Sequence, residues 1–345
     1  METVLPLANS RQARAVCYSS RAMGVEYRAI HPDEWPQAME LWTTVFGVGA
    51  WLFQSLHEGT EDRNWDHTSV AVDESGRIVS AVDLFMRPIR GHDGNPLTMA
   101  GVGSVATYDD ARKQGHSGKL LERALDVMQG HCCNFSMLTT GVNAHYARYG
   151  WFNSPLKFRT GALREIKGNA DSLITLDDEG IDQHLDAFVD LYALDNHSRP
   201  LSHVRSAQYW RAATRPRMGH QNMPRFGPVH AERRVSILAG PQSPAGYVVW
   251  AQEGEVTFIY EACGEVEPLL ASLGAKLNEG STKHLHIELP NDEPWNSAID
   301  AIMTDLAWED SPWWMSRNLP GGLSADEIRT LIAAPGAHHW SLDAF

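Results

Sequence analysis

One order of hydrophobic patterns, met twice along the chain, limits the fold more than any other feature. Residues 25–30 alternate as a strand. A helix then opens at His31-Pro32-Asp33-Glu34-Trp35, where Pro32 suits an early helical position and the two acids suit the helix dipole. Trp35, Met39, Leu41, Trp42 and Phe46 form its apolar stripe, Gly47 ends it, and a second helix is expected at 51–57. Strands at 68–72 and 77–86 flank the turn Asp73-Glu-Ser-Gly76, and a third strand, 97–108, follows a turn at 91–96. A helix at 119–128 with Leu120, Leu121, Ala124 and Leu125 on one face, a strand at 134–140 and a short helix at 145–149 complete the set.

The order returns from residue 175. A helix at 181–194 carries Leu185, Phe188, Leu191 and Tyr192, strands follow at 235–238, 246–252 and 255–262, and then come helix 268–277, strand 284–289 and helix 294–306. The chain has 345 residues, more than one compact domain usually holds. The expected fold class is therefore α/β (α+β), two tandem mixed-sheet units with helices on both faces. The expected division is a disordered leader at 1–24, a first unit at 25–165, a second at 175–318, and a tail at 319–345 in which Ser324 caps a helix.

Composition removes several functions. Lys plus Arg number 29 against 43 Asp plus Glu, a net charge of −14. That balance speaks against nucleic acid or an anionic membrane as partner. No run of about 18 apolar residues predicts a membrane span. The first 23 residues carry Arg11, Arg14 and Arg21 without an apolar core, so no secretory signal is expected. Four cysteines without a CxxC fit a thiol-reduced, cytoplasmic protein. No metal is expected: His284 and His286 share one strand face but lack further ligands. The tryptophans at 295, 308, 313, 314 and 340 stand beside Glu293, Glu309 and Asp310, which suits core packing or an oligomer contact rather than base stacking.

Chemistry concentrates in residues 101–120, GVGSVATYDDARKQGHSGKL. A strand ends, and a turn holding Arg112, Lys113, Gln114 and Gly115 leads straight into a helix. The first helical turn leaves backbone N–H groups unpartnered at the positive end of the dipole. Gly115 and Gly118 remove side chains, and Arg112 and Lys113 add charge, which together make a cradle for a pyrophosphate. The same residues also fit an ordinary basic strand-to-helix turn, and local sequence does not separate the two. About 28 residues on comes a second cluster, Asn143-Ala-His-Tyr146-Ala-Arg-Tyr-Gly150-Trp151.

The ordered pair of motifs, Arg112-Lys-Gln-Gly115-His-Ser117 and Tyr146-Ala-Arg-Tyr-Gly150-Trp151, resembles the GNAT N-acetyltransferases. More narrowly, residues 25 to about 318 resemble the Eis-like branch, which joins two such domains and adds a sterol-carrier-like domain. The resemblance implies acetyl-CoA as donor, its pantetheine arm along the backbone of Val105 and Thr107 and its pyrophosphate on the amides of Lys113, Gln114, Gly115, Ser117 and Gly118. It implies Tyr146 as general acid, and the C-terminal carboxylate, here of Phe345, as a group recruited to the site. It also implies a homo-oligomer.

Three departures stand out. Ser117 replaces the family's Gly or Ala, only 27 residues follow position 318, and the second unit's equivalent turn carries Glu265 and Glu267, which would repel a pyrophosphate. That unit is expected to be degenerate and to wall the acceptor site, with residues 196–227 lining it. The expected activity is acetyl transfer to a primary amine of a small cationic, aminoglycoside-like acceptor. A CoA-binding or regulatory protein without turnover is the alternative.

Overall fold

The computed structural model describes residues 20–22, 24–60, 63–92, 94–166, 169–219 and 232–345. The first sheet draws its strands from β1 (Ser20–Ala22), β2 (Val25–Ala29), β3 (Thr68–Val72), β4 (Ile78–Arg90), β5 (Pro96–Thr107), β6 (Phe135–Thr139) and β7 (Phe152–Asn153). Between them lie α1 (Trp35–Phe46), α2 (Ala50–Gly59), α3 (His116–Gly130) and α4 (Asn143–Ala147). The second sheet uses β8 (Lys157–Leu163), β9 (Leu173–Leu176), β10 (Arg233–Leu238), β11 (Gly246–Glu253), β12 (Val256–Gly264) and β13 (His284–Ile287), with α5 (Asp178–Asn196), α6 (Val266–Asn278) and α7 (Trp295–Ile302). Strands β14 (Met303–Asp310) and β15 (Trp314–Asn318) and helix α8 (Ala325–Ile332) follow.

The sheet orders are β1-β2-β3-β4-β5-β6-β15-β7 and β14-β8-β13-β12-β11-β10-β9. Both are mixed. In the first only β5 and β6 run parallel, joined through α3, and in the second only β12 and β13, joined through α6. The repeated order read from the sequence is thus a repeated β-α-β crossover. Helices cover both faces of the first sheet because its strands alternate. Val70 and Val72 pack with Ala38, Leu41 and Trp42 of α1, whereas Ala71 packs with Leu120, Leu121, Ala124 and Met128 of α3. Each of these α3 leucines is fully buried, worth about 1.5–3 kcal/mol apiece.

The units also exchange strands. β8 follows the first unit in sequence yet pairs with β13 and β14 in the second sheet. β15 returns from the second unit and inserts between β6 and β7 of the first. Residues 157–163 therefore belong to the second sheet and 314–318 to the first, on the far side of the boundaries drawn from pattern. The helix expected at 294–306 stops at Ile302, and Leu306 lies in β14. The apolar spacing of Trp295, Ile299, Ile302 and Leu306 continues a helical period, but the backbone after Met303 is used to pair with β8. Of the expected leader, Ser20–Ala22 forms an edge strand on β2, while 1–19 and 23 lie outside the described residues. Ser324 caps α8 with Glu327 in a reciprocal capping box.

Candidate active site

β5 carries the geometry on which the site is built. Ala81 stands opposite Ala106 and Asp83 opposite Gly103, so Ser104 and Val105 share one partner position, a bulge with Ser104 at φ 51°. β6 pairs with β5 only from Met99 to Val102. Beyond Val102 no strand among the described residues takes the β6 side of β5, and the two strands splay. Val105 and Thr107 lie on this open stretch, partly exposed.

The chain then turns through Arg112 to Gly115. Lys113 has φ 64° and Gly115, the N-cap of α3, has φ 83° with nothing near its absent Cβ. Left-handed backbone on both sides of Gln114 curls the amides inward, a nest for an anion. Among the described residues no hydrogen bond takes up the amides of Lys113, Gln114, Gly115, His116, Ser117 or Gly118. Arg112 leans back toward the strand, its Nε donating to the Thr107 carbonyl at 3.2 Å and its guanidinium 2.8 Å from Asp109. Gly118 is glycine for a different reason: a Cβ there would overlap the Tyr149 hydroxyl.

The second motif packs on the first. Ser117 Oγ lies 3.5 Å from His145 Nε2, and the His145 ring meets Tyr146 and Tyr149 edge-on at 5.0 and 5.6 Å. Tyr146 is buried against Trp151, and burial pushes its phenol up to about 12. It keeps its proton throughout the neutral range. His116, not singled out in the sequence, ties β2 to the start of α3 by a 2.8 Å bond between Nδ1 and the Tyr27 hydroxyl.

The C-terminal tail ends at the bulge. A Cβ on Gly101 would come within 2.6 Å of the Phe345 ring, and one on Gly103 within 2.9 Å of the Phe345 carboxyl carbon. Phe345 stacks near Phe85 and meets Trp314 edge-on. The tail is held by buried cations. Arg217 donates to the carbonyls of Leu342 and Ala344 at 2.7 and 3.0 Å, and Arg87 to that of Asp343. Arg205 bridges Asp343 and Glu261 at 2.9 Å each. Burial alone would raise the Asp343 carboxyl, but Arg205 and His203 outweigh it and hold it well below the usual range.

A cavity of about 570 Å³ opens between the units, and Ser104, Thr139 and Phe345 line one part of it. Val105, Thr107, Arg112, Lys113, Gln114, Gly115, Ser117, Gly118 and Tyr146 are not among its walls. The predicted residues therefore fall on two sides of the splay: the amide nest and Tyr146 together, and Phe345 on the cavity side. Of the loop expected to line the cavity, Arg217 does so, whereas 220–227 lie outside the described residues.

In the second unit the equivalent cradle is already filled. The Gly264 amide donates to Asp195 Oδ2 at 2.7 Å and the Glu265 amide to the Ala245 carbonyl at 2.9 Å. The fold thus blocks with its own groups a turn that Glu265 and Glu267 make unfavourable for phosphate.

Among the described residues one group could hold a metal. Asp66, His67 and His131 bring ligand atoms within 4.8 Å, with His131 3.3 Å from Asp66. It lies at the far end of α3 from the nest, and the charges of Arg63 and Arg123 act on His67 and Asp66, which disfavours a cation there. No helix among the described residues is long and apolar enough to cross a membrane.

Comparison with known proteins agrees with this geometry. Residues 26–152 match the family of acetyltransferase (GNAT) domains. No curated protein matches the chain by sequence. A probable N-acyltransferase from Enterococcus faecalis V583 shares the fold at 15% identity and TM-score 0.64, covering 86% of this chain and 73% of that one. Eis1 from Mycobacterium abscessus does so at 15% identity and TM-score 0.55, over 85% and 73%. Saccharomyces cerevisiae N-myristoyltransferase with bound myristoyl-CoA superposes at 10% identity and TM-score 0.52, over 94% and 92%. The nest, the splay and the family match meet in the same residues: residues 26–152 match a GNAT acetyltransferase domain, a family that draws on acyl-CoA donors, and the chain is an acyltransferase.

Proposed function

We propose that the protein transfers an acetyl group from acetyl-CoA directly to the primary amine of a small acceptor, with both substrates bound, in a tandem layout similar to the Eis-like branch. The observation that carries this reading is the splay between β5 and β6, with the free amides of residues 113–118 on one side and the Phe345 carboxyl carbon beside the bulge on the other. Val105 and Thr107 present open backbone to the pantetheine arm, as a strand edge does to an extended peptide. The diphosphate sits on the nest, with Arg112 and Lys113 adding charge.

The amine nitrogen attacks the thioester carbonyl carbon, a C–N bond forms, and the C–S bond breaks. An alkylammonium has a pKa near 10, so it loses one proton to solvent before it attacks; the second leaves the nitrogen as the C–N bond forms, and the Phe345 carboxylate accepts that one and hands it on to the CoA sulfur. Tyr146 donates its phenolic hydrogen to the departing sulfur. With the phenol near 12, full transfer to a thiolate of ordinary pKa near 8.5 runs uphill. The donation is therefore a hydrogen bond made at the transition state, and the proton that ends on CoA is the one released by the amine.

The aminoglycoside-like acceptor expected from the net charge and the Eis-like layout meets only one side-chain carboxylate in the cavity wall among the described residues. A homo-oligomer remains part of the proposal, and sedimentation velocity reads it directly.

The test is CoA-thiol release from acetyl-CoA with a panel of amines, for wild type and Tyr146→Phe. Tyr146→Phe is expected to lower kcat by about 10²–10⁴-fold with acetyl-CoA binding retained. Absence of release with every amine, or an undiminished variant, would overturn the reading.

A further inference from the structure

We propose that the acceptor amine is carried on a flat, hydrophobic body of low charge, an arylalkylamine rather than a polycation. This rests on the amine-acetylation reading above. The cavity that meets the bulge measures about 570 Å³, the size of a site for a small organic molecule. The second unit supplies much of its wall, and that wall is aromatic. Phe158 stacks on His286 at 4.2 Å and 22°, Phe258 meets the other side of that imidazole at 5.1 Å, and Phe258 runs parallel to Tyr260. Near the Phe345 end stand Trp313 and Trp314. Phe46 and Trp313, which each keep more than a third of their surface exposed, add apolar surface to the same wall.

The charges disfavour a polycation. Glu288 is the sole side-chain carboxylate in the wall among the described residues, and it already meets His286 at 3.1 Å and the Ser341 hydroxyl. Against Glu288 and the Phe345 carboxylate stand Arg217 and Arg233, which donate to the carbonyls of Leu342, Ala344 and Arg217, and Lys157, which is paired with Asp310 at 2.8 Å. An acceptor with four or five ammonium groups would place most of them beside cations or rings with no anion to pair. A single ammonium needs only the Phe345 carboxylate, and the rings take the rest of the molecule. The net charge of −14 lies elsewhere on the protein.

The experiment holds acetyl-CoA saturating and compares kcat/KM for 2-phenylethylamine, ethylamine and the aminoglycoside kanamycin. The expected order is 2-phenylethylamine at least tenfold above each of the other two. Trp313→Ala, at a partly exposed site, and Phe258→Ala are each expected to shrink the 2-phenylethylamine to ethylamine ratio severalfold. Turnover that favours kanamycin, or a ratio unmoved in both variants, overturns this inference and leaves amine acetylation standing. A myristoyl-CoA donor outpacing acetyl-CoA with ethylamine also overturns it, since the cavity would then hold the acyl chain. Absence of thiol release with every amine overturns the function proposed above and this inference with it.

Discussion

Gly101 and Gly103 alternate on one face of β5, and the missing side chains are what admit the end of the chain. A strand interior normally avoids glycine, so the pair marks a close approach by something else. That signal was on view in the sequence, but which segment approaches is not written in it. The role proposed for the terminus is separable from its packing. Adding one glycine after Phe345 leaves the ring available to Phe85 and Trp314 but moves the carboxylate by a residue. The expected result is at least a tenfold loss of kcat with an unchanged melting temperature, read by thiol release and calorimetry on the same preparation. Full activity in the extended protein would remove the carboxylate from the mechanism.

At the scale of elements, the turn from β5 into α3 was legible because its chemistry is local. Arg112, Lys113, Gln114 and Gly115 are contiguous, and a helix start exposes its amides whatever lies around it. Yet the two glycines of that turn differ. Gly115 is needed for its left-handed backbone, which costs most L-residues about 1–2 kcal/mol. Gly118 is needed because Tyr149 occupies the space. Gly118→Ala is therefore expected to raise the KM for acetyl-CoA about tenfold, and adding Tyr149→Phe, which removes the overlapping hydroxyl, to recover part of it. Gly115→Ala should lower thermal stability with no recovery from Tyr149→Phe. Equal behaviour of the two alanine variants toward the second substitution would show that the contact is not what matters. Strands β8, β14 and β15 were not legible. Short segments such as Trp314–Asn318 carry too little periodicity to announce themselves, and β14 continues the apolar spacing of α7.

For the whole molecule, the tail and the strand exchange bind the two units into one structure, and the binding is sensitive to acid. Burial drives His67, His203 and His339 down to about 4 and His338 to about 3. Three of these four pack on or belong to the tail. An imidazole whose folded pKa lies below its unfolded value near 6.5 binds fewer protons when folded. Its contribution is present above about 6.5 and is lost as pH falls toward 4. His131, raised by its bond to Asp66, acts in the opposite sense but alone among these histidines. The melting temperature is expected to drop steadily between pH 7 and pH 4.5, measured by calorimetry in low-salt buffers. A flat profile over that range would mean that these rings are not buried neutral.

The sequence by itself determined the two-unit α/β pattern, the basic glycine turn and the aromatic motif after β6, because each depends on neighbours within about 30 residues. Tertiary structure alone decided that β8 and β15 change sheets, that residues 337–345 run between the units, and that aromatic side chains of the second unit face the end of the chain. Those outcomes turn on which buried surface accepts which segment, and on where Arg87, Arg205 and Arg217 find carbonyl and carboxylate partners far along the chain. Hydrogen bonds spanning more than a hundred residues leave no local period to read.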